Sequence, residues 1–152
     1  MRGIKANNTH EEMIRHLTHP VSGKPVFDSM RSLICFAAVL GFEYGKKAPL
    51  GRQQFEAVDG RIFEKSDQAI DLLYLIALAH EKDADILRVE NEEQMVAIFE
   101  QFAQGGLEIL AGWLREKPED TVGDRAIISA FGKYGFLTAG DDSEVTLAQI
   151  SF

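Results

Sequence analysis

The chain has 152 residues, 45% of them apolar, so one globular domain can bury a hydrophobic core without disulfide bonds. Its net charge of −8 disfavours non-specific coating of nucleic acid, because neutralisation of phosphates supplies most of that affinity. A single cysteine, and no apolar run near the roughly 20 residues of a membrane-spanning helix, indicate a cytoplasmic protein without membrane contact.

The first third of the sequence predicts two helices. Thr9 and Glu12 have the spacing of a capping box, in which each side chain binds a free backbone amide, so a helix is expected over about 10–18. A second helix, ending at Leu40, is apolar nearly all round. Helices of that kind lie inside a core, so we expect this one at the centre of the fold.

The segment after the second helix predicts a small β-hairpin. Residues 55–58 and 61–64 flank Asp59-Gly60, a pair that suits a two-residue turn because both central positions need a positive φ. An isolated hairpin is marginal in water. We therefore expect a hairpin over about 55–64 that lies on the helices.

The second half of the sequence predicts further helices. Ser66 begins one that extends to about His80, Asn91 begins the next, and a last helix runs from near Thr121 to near Gly132. The helical pattern that begins at Asn91 is interrupted by two adjacent glycines.

The pair Gly105-Gly106 interrupts this helical pattern. Each glycine inside a helix costs roughly 0.5–1 kcal/mol relative to alanine, so the pair predicts a kink or a sharp turn between two helices. Two reasons for the pair stay open. A neighbouring helix can pack closely across it, or the pair is an interaction or hinge site where a partner approaches the backbone.

Together, the predicted elements indicate one architecture. A chain dominated by helices is expected to fold as a mainly α, compact five- to six-helix single domain over residues 1–152, with the possible hairpin on its surface. The polar ends, residues 1–8 and 141–152, are expected to be mobile or peripheral, because short terminal segments are seldom held in place.

Charge is divided unevenly along the chain. Residues 1–61 carry nine Lys or Arg against six Asp or Glu, whereas residues 62–152 carry seven against eighteen. The most basic segment is the loop 45–52, which follows two aromatic residues. Cations interleaved with aromatic rings are typical of surfaces that bind nucleic acid or other anions, although a solvated surface without a partner is the alternative. The candidate residues for anion or nucleic-acid binding are Lys46, Lys47, Arg52 and Arg61.

No motif in the sequence indicates catalysis. The glycines of segment 41–45 are separated by three residues, whereas a phosphate-binding loop needs four. Cys35 lies within a helical pattern and not at a helix N-terminus, where a thiolate would be stabilised. The carboxylates of Glu81, Asp83 and Asp85 could bind Mg²⁺ together, but acidic residues are also common in solvated turns. We therefore expect no catalytic residue, no cofactor and no metal.

Three segments of the sequence carry a family resemblance. They are Val26-Phe27 with the helix that ends in Gly41-Phe42, the loop Gly45-Lys46-Lys47-Ala48-Pro49-Leu50, and the run from Ile98 to Leu110 with its paired glycine. Together they resemble the dnd system-associated protein 4 family, whose members are encoded beside bacterial DNA phosphorothioation gene clusters. The resemblance implies a role near a system that places sulfur in the DNA backbone, and it brings no catalytic residues to this chain.

The sequence leaves three functional hypotheses open. The leading one is a non-enzymatic accessory or adaptor protein of a phosphorothioation-linked defence system, which binds another protein component of that system. The second is a small DNA-binding regulator that uses the basic loop 45–52. The third and least favoured is a metal-dependent nuclease subunit with a site at Glu81, Asp83 and Asp85.

Overall fold

The structure is a computed structural model that describes residues 1–135. In chain order these residues form β1 (Ile4–Asn7), α1 (Glu11–Thr18), α2 (Met30–Glu43), β2 (Gln54–Val58), α3 (Gly60–Glu64), α4 (Asp67–Glu81), α5 (Glu92–Glu116) and α6 (Asp124–Lys133). Short 3-10 helices lie at Asn8–His10, Ala84–Leu87 and Val89–Asn91. The predicted mainly α fold with a small β element is confirmed. The expectation for residues 141–152 lies outside the described residues.

Helices α2 and α5 form the centre of the core. As the sequence predicts, α2 is buried along most of its length, and its first turn is capped by Ser29, whose side chain accepts from the N–H of Ser32. A methyl group at Gly106 would overlap the carbonyl oxygen of Ala37, and one at Gly41 would overlap the carbonyl oxygen of Phe102. The two helices therefore cross in direct backbone contact, which only glycine permits at these positions.

Helix α5 continues without a break through Gly105 and Gly106. The predicted sharp turn between two helices is therefore wrong. The helix stays continuous because of the close crossing with α2. The free energy that glycine costs inside a helix is offset there by the close packing that it allows.

The predicted hairpin is wrong in its second strand. Residues 54–58 form β2, but their antiparallel partner is β1, with Asn7 opposite Gln54. Asp59 does not begin a turn. Its carboxylate accepts from the N–H of Arg61 and caps α3, so residues 61–64 are helical. Aspartate favours a helix N-cap as strongly as it favours a turn, and the sequence alone does not separate the two roles.

The N-terminal segment lies in the core. Ile4 and Ala6 are completely buried, so the expectation that residues 1–8 are mobile or peripheral is wrong. Side chains of α5 bind the edge of β1 that faces away from β2: Glu100 accepts from the N–H of Lys5 at 3.1 Å, and Gln104 accepts from that of Asn7 at 3.1 Å.

Helix α6 closes the end of the bundle beside α5. The ring of Phe131 meets the rings of Trp113 and Phe36, with centroids 5.9 Å and 5.8 Å apart. Asp120 caps the helix by accepting from the N–H groups of Gly123 and Ala126. Among residues 1–135, no helix is both long enough and apolar enough to cross a membrane.

Candidate functional site

The basic loop of residues 45–52 crosses α5 on its way from α2 to β2. The N–H of Ala48 donates to the carbonyl of Gln101 at 3.0 Å. A methyl group at Gly105 would overlap the carbonyl oxygen of Lys46, so the first glycine of the pair lets this loop approach the helix. The pair Gly105-Gly106 thus brings both α2 and the basic loop against α5.

Two lysines of the basic loop are exposed and have partners within the domain. The ammonium of Lys46 lies 3.1 Å from the carboxylate of Glu108. The ammonium of Lys47 lies 2.9 Å from Nε2 of His80 and 5.9 Å from the centre of the Phe102 ring. Because a lysine ammonium carries three donors, both lysines keep donors for a further partner.

The two candidate arginines do not lie together. Arg52 is exposed just before β2, and Arg61 follows it in α3 with a side chain that is 90% exposed. The five residues of β2 separate them, and a strand of that length spans about 16 Å. The four candidates therefore do not form one cluster: Lys46 and Lys47 are adjacent in the basic loop and reach different partners, and Arg61 lies beyond the far end of β2.

The three candidate metal-binding carboxylates have partners of their own. Glu81 accepts from Gln94, Asp83 accepts from the N–H of Asp85, and Asp85 binds Arg88 at 3.0 Å. In the part of the chain that the structure describes, no three His, Cys, Asp or Glu side chains are grouped so that they could hold a metal ion. The contacts of these carboxylates are those of a helix end and a turn.

Cys35 has the properties of a packing residue. It is completely buried in α2, and this burial raises the pKa of its thiol to about 12. A thiol with such a pKa is protonated at neutral pH and is a poor nucleophile.

Helix α4 carries an exposed apolar surface that sequence reasoning missed. Its inner face is buried, but Tyr74 is 41% exposed and Leu75 is 61% exposed. Periodicity indicates a wide apolar stripe on this helix and does not reveal which part of it other elements cover. We call this surface the outer stripe of α4, and it consists of Leu72, Tyr74, Leu75 and Ala79.

A second feature missed from the sequence is a cavity of about 710 Å³ between the end of α5 and α6. The residues that line it include three basic ones, Lys117, Arg125 and Lys133, together with Ser129. Three of these residues belong to α6 and are spaced four apart, namely Arg125, Ser129 and Lys133. This is the spacing of one helix face. The spacing could be seen in the sequence, but the residues that form the opposite side of the cavity could not be identified from it.

Two acidic residues also line this cavity, Glu119 and Asp120. Partial burial opposes ionisation of Asp120, but hydrogen bonds from the backbone N–H groups of Ala126 and Gly123 outweigh it and lower its pKa. The carboxylate of Asp120 is thus engaged in capping α6, and Glu119 is the acidic side chain that remains to oppose an anion in the cavity.

Comparison with protein families matches residues 3–139 to the model described as DNA sulphur modification system-associated protein 4. The chain belongs to this family. The match to DNA sulphur modification system-associated protein 4 includes the basic loop, the outer stripe of α4 and the α5–α6 cavity. Membership indicates association with a DNA sulphur modification system. Comparison with curated proteins and with solved structures found no match.

Proposed function

We propose that this protein is a non-enzymatic, cytoplasmic accessory protein of a phosphorothioation-linked defence system that acts by binding another protein component of the system. The outer stripe of α4 is the observation that carries this proposal. Its exposed tyrosine and leucine are consecutive residues of a helix whose opposite face is fixed in the core. A rigid helix with an apolar outer face suits docking onto a partner protein.

The size of the exposed side chains supports a protein partner. Complete burial of a leucine is worth about 1.5–3 kcal/mol, and Leu75 is more than half exposed in the free protein. Tyrosine is among the residues that most often dominate the free energy of protein interfaces. Asp71, exposed one turn before both Tyr74 and Leu75, is their neighbour on the helix surface, so the partner should present a polar or basic group there.

The test is capture of partners by the tagged full-length protein in its native host, with the products of the sulphur modification gene cluster identified by mass spectrometry. Lysates are compared with and without nuclease treatment. The Leu75→Glu variant puts a charge at the centre of the outer stripe, and Val21→Glu is the matched control, since Val21 is fully exposed in the loop after α1.

We expect nuclease-resistant capture of a system component by the wild type and by Val21→Glu, and a loss of roughly tenfold or more in Leu75→Glu, which corresponds to at least about 1.4 kcal/mol. Equal capture by both variants would exclude the outer stripe as the docking surface. Loss of all partners on nuclease digestion would contradict the adaptor function itself.

A second candidate function, a small DNA-binding regulator, is supported by the surface around Lys47. Its ammonium lies over the Phe102 ring, and Phe42 packs edge-on against the same ring while remaining 38% exposed. Cations beside exposed aromatic rings are typical of surfaces that bind nucleic acid.

If this function holds, the double variant Lys46→Ala, Lys47→Ala weakens duplex binding and reduces the slope of log K against log salt by up to about 1.8. An unchanged slope would remove the candidate.

A further inference from the structure

The cavity between α5 and α6 has a row of hydrogen-bond donors along one wall. Arg125, Ser129 and Lys133 line it from successive turns of α6, and each step of four residues advances about 6 Å along the helix. Lys117, just after the end of α5, completes the set of cations. The wall therefore presents a guanidinium, a hydroxyl and an ammonium in order to whatever occupies the cavity.

These cations are weakly neutralised within the domain. Of the ion pairs within residues 1–135, the one that involves a cation of this cavity joins Lys133 to Glu116 at 4.0 Å. The ammonium of Lys133 also lies 5.4 Å from the centre of the Tyr134 ring, and these two contacts hold it at the cavity. Lys117 and Arg125 are left to attract an anion from solution.

The position of these cations in the sequence is also unusual. Residues 62–152 carry seven basic side chains against eighteen acidic ones, and three of the seven line this cavity. The capping role of Asp120 uses its carboxylate inside the domain. A local concentration of cations within an acidic half of the chain favours an anionic ligand at this point.

We propose that the α5–α6 cavity binds the phosphates of a nucleotide, either free or within a single strand of nucleic acid. Its volume of about 710 Å³ is within the range of small-ligand sites, roughly 300–1,000 Å³. The planar guanidinium of Arg125 can donate two hydrogen bonds to one phosphate, with Lys117 and Lys133 as point charges and Ser129 as a neutral donor. This site is independent of the docking surface on α4.

The test measures binding to the full chain of two probes: a fluorescently labelled oligothymidylate, by anisotropy, and a deoxynucleoside triphosphate, by calorimetry. Arg125→Ala is expected to weaken binding at least tenfold, because a hydrogen bond to a charged group is worth about 1.5–3 kcal/mol. For the single strand it should also reduce the slope of log K against log salt by about 0.7. Glu119→Gln should strengthen binding, since it removes the opposing charge. Lys65→Ala, a change at an exposed cation outside the cavity and outside the basic loop, is the control.

Each outcome decides the proposal. Tighter binding of the strand assigns the site to nucleic acid, and tighter binding of the triphosphate assigns it to a free nucleotide. Absence of binding by the wild type would overturn the proposal, as would equal loss in Arg125→Ala and Lys65→Ala. Equal competition by polyglutamate would also overturn it, because the cavity would then recognise carboxylates of an acidic protein. Circular dichroism of each variant verifies that the helices are retained.

Discussion

Glu100 has no solvent exposure and is held between β1 and the guanidinium of Arg2. Complete burial raises the pKa of its carboxyl, although Arg2 acts in the opposite direction. The native state therefore binds this proton more tightly than the unfolded state, and the free energy of unfolding falls as the pH rises above the ordinary value of 4.5.

The Glu100→Gln substitution should reduce the dependence of the free energy of unfolding on pH in this range. The amide oxygen can still accept from the N–H of Lys5, while the titrating group is gone. Glu100→Ala removes the acceptor of the Lys5 N–H, while Arg2 keeps Glu93 as a partner, so it should cost about 1–3 kcal/mol. Urea unfolding across this pH range measures both effects. A profile of the same slope in wild type and Glu100→Gln would show that another group causes the dependence.

The sequence does not reveal the role of Glu100. A glutamate in a helix is normally solvated, and the N–H that binds this one belongs to a residue 95 positions away. The same holds for Gln104, which binds the next part of β1. Local periodicity reports which face of a helix is apolar, whereas a buried polar residue needs a partner that only the tertiary fold supplies.

At the scale of the element, α5 offers a direct test of the glycine crossing. Gly106→Ala forces the new methyl group into the carbonyl of Ala37, so we expect a loss of at least about 1–3 kcal/mol in the free energy of unfolding. Gly112 is the matched control in the same helix. An added methyl group there meets only the end of the Arg115 side chain at 3.9 Å, so Gly112→Ala should stabilise the protein by about 0.5–1 kcal/mol. Thermal unfolding measures both, and equal effects of the two changes would contradict the crossing.

The cap of α6 gives a second prediction at this scale. Asp120→Ala removes two hydrogen bonds to the first turn and should cost about 1 kcal/mol. Because those bonds lower the pKa of the carboxyl, their contribution is complete above its unfolded value of 3.8 and is lost as the pH falls below it. Denaturation of both proteins at neutral and acidic pH should show the difference shrinking in acid. A constant difference would mean that the carboxylate does not act through its charge.

The helices that could be predicted from the sequence are those with an apolar period or a capping signal, namely α1, α2, α4, α5 outside its glycine pair, and α6. The sequence pattern led to a wrong prediction at Asp59, because aspartate is favoured both at a helix N-cap and in a hairpin turn. It also failed at β1, because a four-residue strand is defined by its pairing with residues about 50 positions away and not by its own composition. The two candidate surfaces were missed for the same reason: each depends on which helix faces remain uncovered.

At the scale of the whole molecule, α5 separates these surfaces. Helix α4 contacts α5 through Gln94 and through Phe102, whereas α6 contacts it through Trp113. Phe102 and Trp113 are eleven positions apart in the chain, which corresponds to about 16 Å along the helix. Changes at such distances are usually independent when they share no partner.

The two proposed functions should therefore be separable by single changes. Leu75→Glu is expected to abolish partner capture and to leave phosphate binding within about twofold of wild type, because sites this far apart add within about 0.3–0.5 kcal/mol. Arg125→Ala should have the reverse effect. Parallel capture and anisotropy experiments on both variants and on the double variant measure this separation. If either single change impairs both activities while the helical content is retained, the protein partner and the phosphate ligand share one surface, and a single composite site would replace the two described above.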